Sequence, residues 1–480
     1  MGENGRERES SKVREKTVDK KELFETMPVS QALLSMAVPT VISQLINLIY
    51  NTADTIYLGM TGDAYKTAAV TLAFTLFMMN IAISNLFGVG GGSLLARLSG
   101  AGQEEQARSV SAFSVYGSVV ASVAYSLLIF IFQDPLLTLL GASANTMEFA
   151  KQYVWYVVVL GNLPTVLSGV AAQLLRNVGY SGIAGAGLSA GGVLNIALDP
   201  LFMFVLMPKG MEVAAAAIAT LISNILACIF LVYMLWKVSA NSPISLSLKD
   251  ARAIRHTEVA NIFRVGVPSA LLNALFDVAN IFLNALMAAH GDLELAAIGI
   301  VMKIERLPNA INVGIGQGMM PIVAYNFASG NHKRMTDTIR TARIWGVGVT
   351  VCTITLFMLF SPQLCQFFLS TTAGGDAAAA VTTLSTAALF LRIRCLASPF
   401  QFLNYNTSFC MQAVGYGKGT FIHATLRQLG FYIPFMFLLN YLFGVNGLAS
   451  AVIFGEMCGA ALALFLFERY RRKAAYEITE

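Results

Sequence analysis

Two carboxylates, Asp54 and Asp199, stand inside long apolar stretches of this 480-residue sequence. Asn195 precedes Asp199 by four residues, which places both side chains on one face if the segment is helical. Burial disfavours a charged carboxylate, and a second carboxylate nearby disfavours it further. Such a pair can bind and release protons near neutral pH, whereas sodium would use the same oxygens with an amide and a hydroxyl as ligands. The sequence leaves both ions open.

Each carboxylate also has a simpler interpretation. Asp54 could lie near a helix end and reach the membrane surface, and Asp199 could cap a helix beside a kink at Pro200. We favour a functional role, because ionisable groups inside membrane segments are costly and usually mark function.

The second half of the sequence carries a different and mainly basic set of charges within its apolar runs: Asp277, Lys303, Glu305, Arg306, Arg392, Arg394 and Arg427. One interpretation is internal salt bridges, such as Lys303 or Arg306 with Glu305 or Asp277. The other is a basic cavity that binds an anionic group on a substrate.

Composition excludes a soluble protein. Hydrophobic residues make up 56% of the chain and charged residues only 12%, against roughly 25% charged in soluble domains. The glycine-rich segment GVGGGS lacks the Gly-Lys-Ser/Thr ending of a phosphate-binding loop, and no HExxH or Ser/His/Asp arrangement is visible. The chain is therefore predicted not to be an enzyme or an ATPase, so an ion gradient must supply the energy for any transport.

Apolar runs close to the ~20 residues that a membrane helix requires recur along the chain. Only Lys66, Lys151 and Lys209 fall in the odd-numbered loops between these runs, whereas the tails and even-numbered loops are basic. Since cytoplasmic loops are enriched in Lys and Arg, we expect both termini to be cytoplasmic and the protein to cross the inner (plasma) membrane many times. We place twelve spans, near 32–60, 68–96, 110–133, 149–175, 183–207, 213–236, 259–289, 294–326, 341–368, 377–410, 420–442 and 447–468.

The two halves of the sequence resemble each other. Gly62 follows Pro39 at the same spacing as Gly291 follows Pro268, and both glycines precede Asp. The segment RNVGYSG in the first half corresponds to QAVGYGKG in the second, and the longest internal loop lies between the halves at 237–258. Matches in the same order on both sides of a central loop indicate an internal duplication.

The predicted fold is an all-α membrane protein of twelve transmembrane helices in two six-helix repeats. The repeats are parallel because an even number of spans per half starts both halves on the same side. The predicted organisation is a tail at 1–30, an N-lobe at 31–236, a cytoplasmic linker at 237–258, a C-lobe at 259–470 and a tail at 471–480.

Four segments carry a resemblance to a known family: NTADTIYLG, LFGVGGGSLLARLSGAGQEEQAR, NIALDP and GQGMMPIVAYNFASGNHKRM. In this order, over residues 28–470, the chain resembles the multidrug and toxic compound extrusion (MATE) family. This family belongs to a superfamily that also contains flippases for lipid-linked oligosaccharides. The resemblance implies a twelve-helix antiporter that expels organic compounds against a proton or sodium gradient.

The resemblance also implies roles for individual residues. Family members with an acidic cluster in the first lobe bind the ion with a helix 1 Asp, a helix 5 Asn-x-x-x-Asp and a helix 6 Thr. Asp54, Asn195 and Asp199 match these positions, and Thr220 is the nearest fit for the threonine. Another branch uses acids in helices 7 and 10. Asp277 falls close to the first of these, but helix 10 has arginines here, which argues against a cation site in the C-lobe.

We therefore predict a secondary active antiporter that exports small organic compounds, chiefly amphipathic cations, in exchange for protons or sodium by alternating access. The partners expected are a small-molecule substrate and the lipid bilayer, with a monomeric chain and no nucleic acid. No cofactor or metal is expected apart from the coupling ion, which would be sodium at Asp54 and Asp199 if it is not a proton. The alternatives are a flippase for a lipid-linked substrate, an exporter of an anionic compound through C-lobe arginines, and a passive channel or scaffold.

Overall fold

The computed structural model describes residues 20–370 and 377–479, and every regular element within them is a helix. Of the predicted tails, residues 1–19 and 480 lie outside the described residues. The helices of the first half are α1 (Lys20–Glu25), α2 (Val29–Gly59), α3 (Ala64–Gly100), α4 (Glu104–Leu139), α5 (Met147–Tyr153), α6 (Asn162–Asn177), α7 (Ser181–Leu201) and α8 (Glu212–Ser239).

The second half repeats this pattern of long helices. Its helices are α9 (Leu248–Arg252), α10 (His256–Ala288), α11 (Asp292–Ala328), α12 (His332–Ser370), α13 (Ala377–Cys395), α14 (Ser398–Ala413), α15 (Gly417–Thr425) and α16 (Ile433–Thr479). Short π-helical segments follow α5, α7 and α15, at Val154–Leu160, Phe202–Leu206 and Leu426–Tyr432.

The predicted tails contain more helix than their polar composition suggests. Within the N-terminal tail, α1 buries Leu23 and Phe24 against Tyr325 of α11. Phe24 stacks on the Tyr325 ring with the centroids 5.0 Å apart. At the other end of the chain, α16 continues to Thr479, well past the predicted last span.

Eight helices of the described chain are long and apolar enough to cross a membrane, and ten spans result if each of two bent pairs is counted as one. In the first pair, the segment ending at Leu160 meets α6 at 45°; in the second, α13 meets α14 at 51°. The long, apolar helices define a protein that crosses the membrane many times.

Glycines at helix junctions explain part of the sequence similarity between the halves. Gly102 and Gly330 both follow a long helix with positive φ, at 72° and 76°. Gly179 and Gly415, from the two matched GlyTyr segments, have φ of 89° and 79°. Glycine adopts this backbone conformation without the steric cost that a Cβ imposes, so the same turn needs the same residue in each half.

Each half has its own apolar core, and a further cluster joins the halves. Phe77 belongs to a core of the first half and Phe390 to a core of the second. Leu33 of α2 and Met319 of α11 belong to the cluster shared by both.

Helices of the two halves come into close contact at Gly266 of α10 and Gly318 of α11, and we call this contact the seam. A Cβ at Gly266 of α10 would clash with the Leu86 carbonyl oxygen of α3, and one at Gly318 of α11 would lie 2.5 Å from the Ala37 Cα of α2. These contacts lie near the N-terminal ends of α2 and α10 and the C-terminal ends of α3 and α11. The seam therefore closes one end of the space between the halves.

Enlarging a seam glycine should separate the halves. We expect Gly266→Ala to lower the free energy of unfolding by about 1–3 kcal/mol, the usual cost of overpacking. Gly299→Ala is the matched control on α11, because a Cβ there meets nothing within 4 Å. Thermal unfolding of the purified variants in detergent measures the difference, and equal midpoints would show that the seam tolerates an added methyl group.

Candidate functional site

A buried polar cluster connects α7 and α8 in the first half. Asp199 is fully buried on α7, and the Asn195 side-chain amide donates a hydrogen bond to its Oδ1 over 3.1 Å. The same amide nitrogen donates to Thr220 Oγ1 of α8 over 3.2 Å. The structure thus brings together three of the four residues proposed from sequence, including Thr220.

Asp54 lies next to this cluster on α2, the helix that packs against α7. Its charge interacts with that of Asp199, and both carboxylates also interact with the phenol groups of Tyr50 and Tyr153. Asp199 lies near the C-terminal end of α7, so it does not cap a helix N-terminus. Asp54 Oδ1 is buried, so the side chain does not simply extend to the surface.

The cluster holds buried oxygens that lack a donor. Asp54 Oδ1, Asn195 Oδ1 and Asp199 Oδ2 have no hydrogen-bond partner within the described part of the chain. Nor does a Lys, Arg or His side chain of that part form an ion pair with either carboxylate. Buried oxygens of this kind are satisfied by a proton or by a small cation.

A separate cavity of about 370 Å³ lies between the two halves, beyond the seam. Its chemistry is dominated by side-chain amides from α2, α3, α10, α11 and α14. The amide residues that line it are Gln44, Asn47, Asn51, Asn85, Asn273, Asn280, Asn309, Gln317 and Gln412. The ionisable residues that line it are Asp277, Glu305, Arg306, Arg394 and Arg427, whereas Asp54 and Asp199 do not. The acidic cluster and the cavity are therefore distinct sites.

Two of the cavity arginines are neutralised by buried glutamates. Arg394 of α13 binds both carboxylate oxygens of Glu305, over 2.9 and 2.8 Å. Arg427 binds Glu456 of α16 in the same bidentate way, over 3.0 and 2.7 Å. Paired charges of this kind present little net field to a ligand.

The salt-bridge partners expected from sequence differ from those in the structure. Glu305 pairs with Arg394 rather than with Lys303 or Arg306, because Glu305 and Arg394 are buried face to face while Lys303 is exposed. Arg306 interacts with the Asp277 charge at longer range, and both line the cavity. Lys303 and Arg392 are exposed and are not among the lining residues.

Sequence reasoning missed several buried polar residues near the cavity. Glu456 carried a clear signal, since it is the one acid in the interior of the apolar run 447–468, whose last residue is Glu468. His423 is fully buried, with Ser408 Oγ 2.9 Å from Nδ1 and Asn404 Oδ1 2.8 Å from Nε2. No short motif marks these contacts, because they join residues from different helices.

The sequence analysis also did not identify Arg176 as a buried residue. Its guanidinium donates to Gln317 Oε1 of α11 and to Ser43 Oγ of α2, both over 3.3 Å. Gln317 Oε1 also accepts from Gln44 over 3.1 Å. These bonds link the first half to the second at the end of the cavity that lies next to the seam.

Many membrane-spanning helices, a cavity between two halves and a separate buried carboxylate pair define a membrane transporter. The MatE family model matches this chain twice, over residues 39–201 and 268–438. The chain therefore belongs to the MATE family of multidrug efflux transporters and is not an enzyme.

Individual relatives agree with this assignment. The multidrug export protein MepA of Staphylococcus aureus strain N315 is 29% identical over 459 residues, which cover 95% of this chain and 97% of MepA. MepA of Staphylococcus haemolyticus strain JCSC1435 is 28% identical over 450 residues, covering 94% of this chain and 96% of that protein.

Solved structures show the same fold. An outward-facing multidrug resistance MATE family transporter of the MOP superfamily has 25% identity and a TM-score of 0.87, covering 96% of this chain and 100% of that one. A MATE transporter in complex with MaL6 has 24% identity and a TM-score of 0.88 at the same coverage.

Breaking one buried ion pair should destabilise the protein strongly. Glu456→Gln leaves the Arg427 charge buried without a carboxylate, and we expect a loss of about 3–5 kcal/mol in the free energy of unfolding. Asp250→Asn breaks the exposed pair with Arg108 and should cost no more than about 1 kcal/mol. Thermal denaturation in detergent compares the two variants, and equal shifts would contradict a structural role for the buried pair.

Proposed function

We propose that this protein is a secondary active antiporter that exports small organic compounds in exchange for protons or sodium ions. The supporting observation is the pair Asp54 and Asp199, which has buried oxygens without donors and no basic partner among the described side chains. A mobile cation is the group that would neutralise such a pair. The protein would act as a monomer in the plasma membrane and need no cofactor besides the coupling ion.

We further propose twelve transmembrane helices in two parallel repeats, with lobes at 31–236 and 259–470 joined by the linker 237–258. Two more spans join the ten already counted. The 37-residue α11 is long enough but polar near its centre. The helical stretch Gly417–Lys473 would be about 85 Å long at 1.5 Å per residue, and non-helical Gly444 divides it into two spans. The two matches to one family model support the duplication.

In this topology both termini are cytoplasmic, and the described conformation is open to the outside. The seam at Gly266 and Gly318 lies near the N-terminal ends of α2 and α10, which would be the cytoplasmic ends. The cavity lies beyond it, towards the opposite face. Alternating access then requires the seam to separate while the outer ends of the lobes approach each other.

The helix α2 provides the physical link between ion and substrate. Gln44, Asn47 and Asn51 line the cavity, and Asp54 lies about one turn further along the same helix. α2 also packs against α7, which carries Asn195 and Asp199. Protonation or sodium binding would remove the repulsion between the carboxylates and draw α2 towards α7, which alters the cavity wall.

The cavity suits amphipathic cations better than anions. Its amides supply uncharged donors and acceptors, and Asp277 supplies a negative charge. Arg394 and Arg427 line the same space, but Glu305 and Glu456 hold their guanidinium groups. Among the cavity arginines only Arg306, which lies near Asp277, could bind an anion without breaking a buried ion pair, and this disfavours an exporter of anions.

Neutralising the acidic cluster should abolish coupled export. Asp199→Asn keeps the hydrogen bond from Asn195 but fixes a neutral group where the charge must alternate. We expect substrate binding to persist and gradient-driven efflux from proteoliposomes to fall to the level of protein-free vesicles. Asp54→Asn should behave alike, and the double variant should be little worse, because residues that act as one unit are not additive.

The comparison variants are Asp277→Asn in the cavity, with a milder expected loss, and Asp134→Asn, which removes an exposed charge paired with Lys151. Imposing a pH gradient and a sodium gradient in separate experiments identifies the coupling ion. Each unit charge that crosses the membrane contributes about 2.3 kcal/mol per 100 mV of membrane potential. Near-normal efflux by Asp199→Asn, or a loss confined to Asp277→Asn, would refute the N-lobe ion site.

The sign of the substrate is a separate prediction. We expect cationic dyes to be exported faster than anionic dyes of similar size, because two of the three cavity arginines are held in buried ion pairs. Dye transport in proteoliposomes under one imposed gradient measures this ratio. A preference for anionic dyes that disappears in Arg306→Ala or Arg394→Ala, two arginines that line the cavity, would instead support the anion exporter, and strict dependence on a lipid-linked substrate would support a flippase.

A further inference from the structure

A second pocket, of about 400 Å³, lies between the beginning of α12 and the end of α16, away from the central cavity. One part of its wall is basic and consists of Arg340, Arg343 and Arg471. Another part is apolar and includes Ile344 and Val347. The transport scheme proposed above uses none of these residues.

The pocket lies where α12 passes from a polar to a lipid-facing surface. Arg340, Arg343, Ile344 and Val347 follow the i, i+3, i+4, i+7 spacing and share one helix face. Ile344 is 61% exposed and Val347 62% exposed, as expected for side chains that contact lipid tails. The two arginines precede them by about one turn, which places the guanidinium groups at the level of lipid headgroups.

The arginines that line this pocket outnumber the acidic residues that line it. Within the described residues, neither Arg340 nor Arg343 forms an ion pair, and Arg343 Nη2 is buried without an acceptor. Arg343 Nε donates to Asn406 Oδ1 over 3.2 Å, which fixes the guanidinium in the wall. Arg471 pairs with Glu468 at 2.9 Å, and Glu468 also lines the pocket. Three arginines and one glutamate leave an excess of two positive charges.

We propose that this pocket binds an anionic phospholipid. The phosphate diester lies beside Arg340 and Arg343, where charge-assisted hydrogen bonds are strong, and an acyl chain runs along Ile344 and Val347. Basic pockets between membrane helices are suited to such headgroups. The proposal depends only on the chain spanning the membrane. In the proposed topology the pocket lies in the cytoplasmic leaflet, and this assignment rests on the proposed function.

Native mass spectrometry of the purified full-length protein tests the site. The protein is supplied with equal amounts of phosphatidylglycerol and phosphatidylcholine at matched ionic strength. We expect preferential retention of phosphatidylglycerol, and at least a roughly tenfold weaker retention in the double variant Arg340→Gln/Arg343→Gln. Arg469→Gln/Arg472→Gln is the control, because it removes the same charge from exposed positions on α16 that do not line the pocket.

If the double variant does not fold, the single variant Arg340→Gln still tests the site. Arg340 is exposed, so its replacement should not disturb folding. The single variant should weaken phosphatidylglycerol retention, whereas the control pair should not. Equal losses in pocket and control variants would show nonspecific charge attraction and overturn the proposal. Displacement of the lipid by millimolar inorganic phosphate would also overturn it, because the site would then be a phosphate site without a role for the acyl chain.

Discussion

A charge inside a lipid bilayer must be neutralised, and the two halves of this protein do so in different ways. In the second half, Glu305 and Glu456 neutralise Arg394 and Arg427 through bidentate pairs that are complete within the protein. In the first half, Asp54 and Asp199 have no such partner among the described side chains. An unpaired buried carboxylate carries a large desolvation cost, and the cation proposed to bind the first half would remove it.

The two halves have similar backbone turns but different buried charges. The features they share are backbone constraints, such as Gly102 and Gly330, whose positive φ permits the turn after a long helix. Ionisable residues are not bound by that constraint and have diverged. The first half holds the unpaired acids Asp54 and Asp199, and the second half holds the buried ion pairs of Glu305 with Arg394 and Glu456 with Arg427.

The sequence predicted the membrane class, the family and the position of most helices, because hydropathy and turn glycines act locally. It also placed Asn195 beside Asp199, since four residues make one helical turn. It failed where residues far apart in sequence meet. Glu305 and Arg394 are 89 residues apart, and only the packing of α11 on α13 decides that they pair. The 51° bend between α13 and α14 was also missed, because the hydropathy of the run 377–410 is that of any membrane helix.

Coupling between separate sites requires a differential free energy, not proximity alone. If the cation bound the acidic cluster equally in both conformations, its gradient could not drive export. The seam suggests where the difference arises, since α2 meets Gly318 of α11 at one end and carries Asp54 near the other. In the proposed scheme, a displacement of α2 that relieves repulsion at Asp54 also alters the contact at Ala37, because both residues lie on the same helix. Pro39 lies beside that contact, and a helix bends most readily at proline because one backbone hydrogen bond is absent there. In the proposed scheme the ion favours one arrangement of the seam through the geometry of a single helix, without contacting the substrate.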